Sequence, residues 1–291
     1  MLPPRSQHTI AKTVEVTGFG YWSGQDIRVE FRPADVGTGL VFVRRDTASL
    51  SRIPALVANR IETPLRTTLV SNGVSVEMVE HVLAACAGLE VDNCEIWIDQ
   101  PEMPGCDGSS QAFVDALTRA EIVEQNALRE RLVVTEVTRV GDDESWVEIR
   151  PRPRGGFALK YHLDYGSENA IGRQTIELLV TPRSFCRELA SARTFLLEAE
   201  AAWLRKRGLG TRVTVKDLVV FGDEGPIGNE LRFEDECVRH KTLDLVGDFA
   251  LAGCEIVGQV IAHRSGHRLN AELVRALLSE GQVVGEQRRT A

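Results

Sequence analysis

The fold is decided by the stretch RHKTLDLVGDFALAGCEIVGQVI (residues 239–261), in which a helical pattern leads through small residues into a strand. The earlier stretch EHVLAACAGLEVDNCEIWI (residues 80–98) has the same design. Both stretches begin beside a histidine on a helix and reach Cys-Glu-Ile where a strand begins. A helix-and-strand unit that occurs twice indicates two related halves, with the two helices in equivalent places.

Charged side chains lie along the second of these helices, in a segment that is otherwise apolar. At about 100° per residue, His240, Asp244 and Asp248 fall within about 80° of one another on the helix. Buried carboxylates are unfavourable unless a metal ion or a cationic partner compensates them. Two interpretations are open at this point: the aspartates pair with the arginines nearby, or they belong to a metal site.

The composition is that of a globular protein and argues against several classes of function. With 291 residues and 43% hydrophobic side chains, the chain is long enough for one large domain or two ordinary ones. A formal net charge of -8 argues against a nucleic-acid partner held mainly through its phosphates. The six cysteines form no C-x-x-C pair, which favours a reducing compartment. Since no secretory signal and no run of about 18 apolar residues occurs, we expect a cytoplasmic protein without a transmembrane segment.

Strand patterns and helix patterns alternate too irregularly for a doubly wound parallel sheet, so the predicted class is α+β. We predict two similar layered α+β domains, residues 1–127 and 128–291, each with a β-sheet and helices. The domains would pack helix layer against helix layer, with the active site between them. Helices are expected near residues 75–90, 109–120, 182–192, 197–207, 236–252 and 270–280.

A metal site follows if the two repeated helices meet, because each contributes a histidine. His81, His240 and Asp244 would then form a three-ligand set with one open position, as a catalytic zinc site requires. Glu80 is the neighbour of His81, about 100° away on the helix, so its carboxylate would reach water at the metal. Two histidines and one carboxylate also describe non-haem Fe(II) oxygenases, which is a second interpretation of the same residues.

The loop AHRSGHRLN (residues 262–270) adds His263 and His267 just before a predicted helix. A loop histidine serves as a general acid when a nearby carboxylate, such as that of Asp248, raises its pKa and keeps it protonated. The alternative is a solvated histidine without a chemical role. The loop sequence leaves both interpretations open.

Several motifs together resemble one family, the zinc-dependent UDP-3-O-acyl-N-acetylglucosamine deacetylases of lipid A biosynthesis. The resemblance covers nearly the whole chain and keeps the family's order and nearly its spacing. The motifs include VEMVEHVLAACAGLEVDNCEI (76–96), PGCDGSSQAFVDAL (104–117), SARTF (191–195), NELRFEDECVRHKTLDLVGD (229–248) and HRSGHRLN (263–270). The motif from 229 to 248 is highly specific, whereas SARTF alone is a weak signal.

The resemblance implies amide hydrolysis at one zinc ion (Zn2+) per chain, with Fe2+ as the alternative metal. It also implies a residue of this chain for each role in the reaction: the metal ligands His81, His240 and Asp244, the general base Glu80, the oxyanion contact Thr194, and the cationic acid His267 supported by Asp248. In such a reaction the base removes a proton from water, and the tetrahedral oxyanion is met by positive charge and hydrogen-bond donors.

The same resemblance implies a UDP-linked acylated glucosamine as the substrate. Lys241 would contact this substrate, and Arg264 stands where the family has a basic residue near the diphosphate. An insertion near residues 196–223 would form an apolar passage for the acyl chain, with Leu197, Ala201 and Leu204 as lining candidates at helical spacing. An ordinary buried helix face is the alternative explanation for these three positions.

Tyr21 and Trp22 stand where the family usually has Leu-His. This departure keeps two alternatives open: a diverged deacetylase that acts on a related sugar nucleotide, and a non-catalytic homologue that binds a glycolipid in the same cleft. The sequence predicts no nucleic-acid partner and identifies no protein partner.

Overall fold

The computed structural model describes residues 4–47, 50–280 and 283–284, which form five β-sheets and six α-helices. The predicted α+β class is confirmed. The first part of the chain contains, in order, β1 (Ser6–Ile10), β2 (Val14–Phe19), β3 (Asp26–Pro33), β4 (Leu40–Arg44), β5 (Ser51–Pro54), a 3-10 helix (Val57–Asn59), β6 (Arg60–Ile61), β7 (Thr68–Ser71), β8 (Val74–Glu77), α1 (Glu80–Gly88), β9 (Cys94–Ile98), α2 (Gln111–Arg119) and β10 (Ile122–Leu128).

The second part of the chain contains the larger sheet and four helices. Its elements are, in order, β11 (Arg131–Val133), β12 (Thr138–Gly141), β13 (Trp146–Arg150), β14 (Phe157–Asp164), β15 (Arg173–Val180), α3 (Pro182–Glu188), β16 (Phe195–Leu197), α4 (Glu198–Lys206), β17 (Val219–Gly222), β18 (Gly225–Pro226), α5 (Glu236–Ala250), β19 (Glu255–His263), α6 (His267–Glu280) and β20 (Val283–Val284). Across the described residues, no helix combines the length and the apolar character needed to cross a bilayer.

The two strands that follow the repeated helices occupy equivalent places in their sheets. β9 lies between β3, to which it is antiparallel, and β4, to which it is parallel. In the same way β19 pairs with β13 in the antiparallel sense and with β14 in the parallel sense. The repeat in the sequence is therefore also a repeat in strand pairing. The proposed boundary between 127 and 128 falls inside β10, which pairs with β1, and the division into two domains stays a prediction.

Helices α1 and α5 pack directly against each other, and a glycine permits their close approach. A Cβ atom at Gly247 of α5 would lie 2.1 Å from the carbonyl oxygen of Glu80 and 3.2 Å from the backbone nitrogen of Ala84, both in α1. The backbones are therefore in contact at this point. The close approach brings the rings of His81 and His240 together, with centroids 5.1 Å apart.

Helix α5 has no exposed residue along its whole length. It contacts α1 on one side and α6 and strands β14 and β15 on others. The acidic side chains of α5 and His240 consequently lie inside the protein rather than in water, as the apolar surroundings in the sequence indicated, whereas Arg239 and Lys241 are partly exposed. Each of these charges needs a partner, because an isolated buried charge is strongly destabilising.

Two predicted helix starts are wrong. Residues 75–79 do not belong to α1, because Val74–Glu77 form strand β8, which pairs with β7. The alternation Val-Ser-Val-Glu has the period of a strand, and Met78, with a φ of 58°, turns the chain from that strand into the helix. At the other end of the chain, α6 begins at His267 rather than at Asn270. Asn270 donates its side-chain hydrogen bond to Asp248 instead of capping the helix.

We predict that Gly247→Ala destabilises the protein, because the added methyl group would force α1 and α5 apart. Overpacking of this kind costs about 1–3 kcal/mol, whereas alanine would otherwise favour a helix interior over glycine by about 1 kcal/mol. Because the added Cβ would lie 2.1 Å from a backbone oxygen, we take the upper end of this range and expect urea denaturation to show a free energy of unfolding about 2 kcal/mol lower than in the wild type.

Gly266→Ala is the matched control, since its added methyl group would meet nothing within 4 Å. This control should stay within about 0.5 kcal/mol of the wild type. A Gly247→Ala protein as stable as the control would contradict the backbone contact between the helices.

Candidate metal and acid–base site

Three buried side chains converge where α1 meets α5. The ligand atoms of His81, His240 and Asp244 lie within 4.8 Å of one another. Asp244 Oδ1 is 3.5 Å from His81 Nε2 and 3.4 Å from His240 Nε2. His240 and Asp244 share a face of α5 because they are four residues apart, and His81 comes from α1. The cluster could hold a metal ion.

The chemistry of these donors fits a divalent metal. Among the described residues, Asp244 Oδ1 is buried and has no hydrogen-bond partner, and a buried carboxylate oxygen without a partner is costly. The other oxygen, Oδ2, accepts a hydrogen bond of 2.7 Å from the Lys241 ammonium group. Burial would raise the pKa of the Asp244 carboxyl, but His240 and Lys241 hold it well below its ordinary value. An ionised oxygen is therefore left facing the two imidazoles.

His240 is oriented for binding by its other ring nitrogen. Its Nδ1 donates a hydrogen bond of 3.1 Å to the carbonyl oxygen of Ala192, which directs Nε2 into the cluster. Such a second hydrogen bond selects the tautomer of metal-binding histidines. Burial lowers the pKa of His240 to about 4, so the ring is neutral near neutral pH. A neutral imidazole is the form that binds metal.

Pairing with arginine does not explain the aspartates. The arginines nearest in the sequence are bound elsewhere, because Arg193 forms a buried ion pair with Glu236 at 2.8 Å and Arg239 contacts Asp235 and Glu188. In the described parts of the chain, no arginine forms a hydrogen bond or an ion pair with Asp244 or Asp248. The partners of Asp248 are Thr67, His267 and Asn270.

The two loop histidines differ in their surroundings. His267 Nδ1 donates a hydrogen bond of 2.8 Å to Asp248 Oδ2. Burial opposes protonation of this ring, but the charge of Asp248 raises the pKa of His267 to about 9. His263 instead lies beside Trp146, with ring centroids 6.0 Å apart. The structure thus separates the two candidates, and His267 is the one that meets a carboxylate.

Glu80 faces the charged histidine from α1. Its Oε1 is 4.0 Å from His267 Nε2, and its Oε2 accepts a hydrogen bond of 3.0 Å from the backbone N–H of Thr67. Burial raises the pKa of the Glu80 carboxyl above its ordinary value. A carboxylate with a raised pKa is a stronger base than one in water, which suits proton abstraction.

Thr194 lies at the edge of the cluster formed by His81, His240 and Asp244. Its Oγ1 is 3.1 Å from His240 Nε2 and 3.5 Å from His81 Nε2, and it donates a hydrogen bond of 3.1 Å to the carbonyl oxygen of Gly108. The preceding residue, Arg193, anchors this loop through its buried ion pair with Glu236. The loop is therefore rigidly attached to the start of α5.

A cavity of about 1030 Å³ opens beside the cluster. Its wall includes the cationic side chains of Lys241 and Arg264 and the apolar side chains of Ala201 and Leu204. Leu197 is not among the residues that line it; Leu196 lines the wall at that place, because β16 ends at Leu197 and α4 begins only at Glu198. A cavity lined by both cationic and apolar side chains suits an amphiphilic ligand.

Tyr21 and Trp22 also line this cavity. The guanidinium group of Arg66 lies over the indole of Trp22, 4.4 Å from the ring centroid. Glu102 accepts hydrogen bonds from the backbone N–H groups of Trp22 and Ser23, at 2.8 and 2.9 Å. Trp22 is thus held in place in the cavity wall.

The chain is similar to proteins of one family. The family model described as UDP-3-O-acyl N-acetylglycosamine deacetylase matches residues 7–279. A protein from Psychrobacter arcticus, named UDP-3-O-acyl-N-acetylglucosamine deacetylase, is 39% identical over 279 residues, which are 94% of this chain and 86% of the relative. Proteins of the same name from Shewanella sp. (strain W3-18-1) and Shewanella oneidensis are 37% identical over 277 residues, 94% of this chain and 90% of each relative.

We predict that His81→Ala and Asp244→Ala each abolish metal binding, because each variant removes one of three ligands. The metal content of the purified protein, measured by elemental analysis, should fall from about one metal ion per chain to a trace. His162→Ala is the control, since this histidine lies on β14 and its Nδ1 contacts Thr175 rather than the cluster. Full metal content in a folded Asp244→Ala protein would show that the cluster is not the metal site.

Proposed function

The chain belongs to the UDP-3-O-acyl N-acetylglycosamine deacetylase family, and we propose that its cavity is where acetate is removed from UDP-3-O-acyl-N-acetylglucosamine. The reaction is the hydrolysis of an amide in lipid A biosynthesis. The observation that carries the proposal is the arrangement of three convergent metal ligands beside one buried base and one charged histidine. Neither an oxygenase nor a non-catalytic binding protein accounts for all of these groups together.

In this proposal His81, His240 and Asp244 hold one zinc ion per chain. When bound there, zinc supplies Lewis acidity, which polarises the acetamide carbonyl group and acidifies water. Two nitrogen ligands and one oxygen ligand with an open position are typical of catalytic zinc. The same ligand set also suits Fe2+, and elemental analysis distinguishes the two metals.

The proton transfers are assigned to Glu80 and His267. The Glu80 carboxylate removes a proton from the attacking water, for which its raised pKa and its place next to the ligand His81 are suitable. The His267 imidazolium stabilises the negative charge that develops on the carbonyl oxygen, and the Thr194 hydroxyl group does so when it turns its proton from the Gly108 carbonyl oxygen to the substrate. His267 then donates a proton from Nε2 to the departing amine, while Asp248 holds the opposite nitrogen.

Substrate recognition is assigned to the wall of the cavity. Lys241 and Arg264 contribute positive charge for the sugar nucleotide, and Ala201 and Leu204 contribute apolar surface for the acyl chain. The lining position of Leu196 supports an extension of this apolar surface onto β16. We assign the acyl passage to the insertion at residues 196–223, within a second domain that comprises residues 128–291.

The cellular location in this proposal is the cytoplasm. Cys86, Cys94, Cys106, Cys186 and Cys237 form no disulfide, which suits a reducing compartment. The UDP-linked acylated glucosamine is the proposed small-molecule partner.

We predict that the zinc-loaded protein releases acetate from UDP-3-O-acyl-N-acetylglucosamine. Glu80→Gln keeps the shape of the side chain but removes the base, so kcat should fall by roughly a hundredfold to ten-thousandfold. The metal content of Glu80→Gln should stay at the wild-type value. His81→Ala, in contrast, should lose both its metal and its activity. A zinc-loaded wild-type protein that releases no acetate from this substrate would refute the proposal.

We also predict that kcat falls as pH rises through about 9, the value to which Asp248 raises the pKa of His267. Activity falls at high pH because the imidazolium of His267 is the active form and loses its proton above its pKa. Asp248→Asn removes the negative charge that raises this pKa, so the alkaline limb of the kcat profile should move to lower pH. The control Asp115→Asn, which alters a carboxylate bound to Gln111 on α2, should leave the limb in place. An unshifted limb in Asp248→Asn would exclude His267 as its origin.

A further inference from the structure

Thr67 donates hydrogen bonds to both carboxylates that flank the reacting groups. Its backbone N–H donates to Glu80 Oε2 at 3.0 Å, and its hydroxyl group donates to Asp248 Oδ1 at 2.7 Å. The residue lies between β6 and β7, outside the helices that carry the two acids, and it is 0% exposed. One residue thus connects α1 to α5 by polar contacts at the site.

The segment around Thr67 is anchored on both sides. The neighbouring Arg66 forms an ion pair of 2.7 Å with Glu77 and covers the ring of Trp22. On the other side, Thr68 starts β7, which pairs with β8. Because both neighbours are held, the two donors of Thr67 have fixed positions relative to the hairpin that leads into α1.

Each contact selects one oxygen of its carboxylate. With Oε2 of Glu80 held by Thr67, it is Oε1 that is directed towards His267. With Oδ1 of Asp248 held by Thr67, it is Oδ2 that accepts the hydrogen bond from His267. A carboxylate without such a contact would rotate among orientations that do not serve its partner. Thr67 therefore helps to fix the orientation of both carboxylate groups, with Asn270 as a second donor to Asp248.

We propose that Thr67 is a positioning residue for the deacetylation, which aligns the base Glu80 and the Asp248–His267 pair against each other. The inference rests on the proposed function, because it assigns these three groups to proton transfer. Thr67 itself lines no part of the cavity wall and does not contact the substrate in this assignment. Its effect is on the orientation of the groups that do.

The two donors of Thr67 can be separated by mutation. Every residue except proline keeps the backbone N–H that holds Glu80, but among side chains of similar size only threonine and serine supply a hydroxyl donor for Asp248. In Thr67→Val the shape of the side chain is preserved and the Asp248 contact is lost. Because the site of the lost hydroxyl is fully buried, no solvent is at hand to replace it.

The decisive experiment compares zinc-loaded Thr67→Val, Thr67→Ser and Thr68→Val with the wild type. Thr68 is the matched control, because it is an equally buried threonine whose hydroxyl contacts Thr63 rather than the site. We expect Thr67→Val to lower kcat roughly tenfold to a hundredfold, with KM and zinc content unchanged, since one hydrogen bond to a buried carboxylate is lost. Thr67→Ser should restore kcat to near the wild-type value, and Thr68→Val should leave it unaltered.

Two results would overturn the proposal. One is a kcat of Thr67→Val within about twofold of the wild type. The other is an equal loss of kcat in Thr67→Val and Thr68→Val, which would indicate a general effect of removing a buried hydroxyl. Thr67→Ala is made in parallel, because it adds no bulk and tests the same contact if the valine variant does not fold.

A measurement without turnover separates this proposal from the proposed function. In the zinc-loaded protein labelled with nitrogen-15 at histidine, the ring resonances of His267 report on its hydrogen bond to Asp248. They should move in Thr67→Val, return in Thr67→Ser and stay unchanged in Thr68→Val. If the wild type released no acetate, the proposed function would fail while this resonance still tested Thr67. Resonances that were identical in Thr67→Val and the wild type would refute the positioning role.

Discussion

The contact between the backbones of α1 and α5 is the constraint on which the rest of the site depends. At Gly247 no side chain separates the helices, and the Glu80 carbonyl group occupies the space that a Cβ atom would need. Helix α1 carries one histidine of the proposed ligand set and α5 carries its other two members, so a wider spacing would separate the three side chains. The site is thus a property of the interface between two helices rather than of either helix alone. This explains why small residues flank the charged ones in both copies of the repeat.

Close packing of the helices also creates the electrostatic problem that the polar groups solve. Asp244 and Asp248 are both buried in α5, one turn apart, yet their carboxylate oxygens have different hydrogen-bond partners. Both oxygens of Asp248 accept hydrogen bonds from protein groups, namely Thr67, His267 and Asn270. For Asp244, Lys241 satisfies one oxygen and leaves the other to face two imidazoles. The first pattern is typical of a carboxylate that orients a neighbour, and the second is typical of a ligand.

The sequence predicted those parts of the site that follow from helical periodicity and from the repeat. His81 could be placed opposite His240 because both helices precede equivalent strands, and Asp244 follows His240 by one turn. The contribution of Thr67 could not be predicted, because a threonine in a short strand-like segment carries no local signal of contacts with residues 181 positions away. The lining position of Leu196 in place of Leu197 depended on where a strand gives way to a helix. Such boundaries are set by tertiary contacts as well as by local pattern.

The protonation states of Glu80 and His267 depend on the same burial that makes their charged forms energetically unfavourable. Desolvation raises the pKa of Glu80, which has no full ion pair and faces His267 at 4.0 Å. Desolvation acts in the opposite sense on His267, but Asp248 outweighs it and raises its pKa to about 9. Two neighbouring groups thus acquire different tasks because only one of them has a close counter-ion. In the proposed mechanism the base Glu80 and the cationic acid His267 face each other because Asp248 keeps its orientation, so the donors around this aspartate would serve the chemistry as well as the fold.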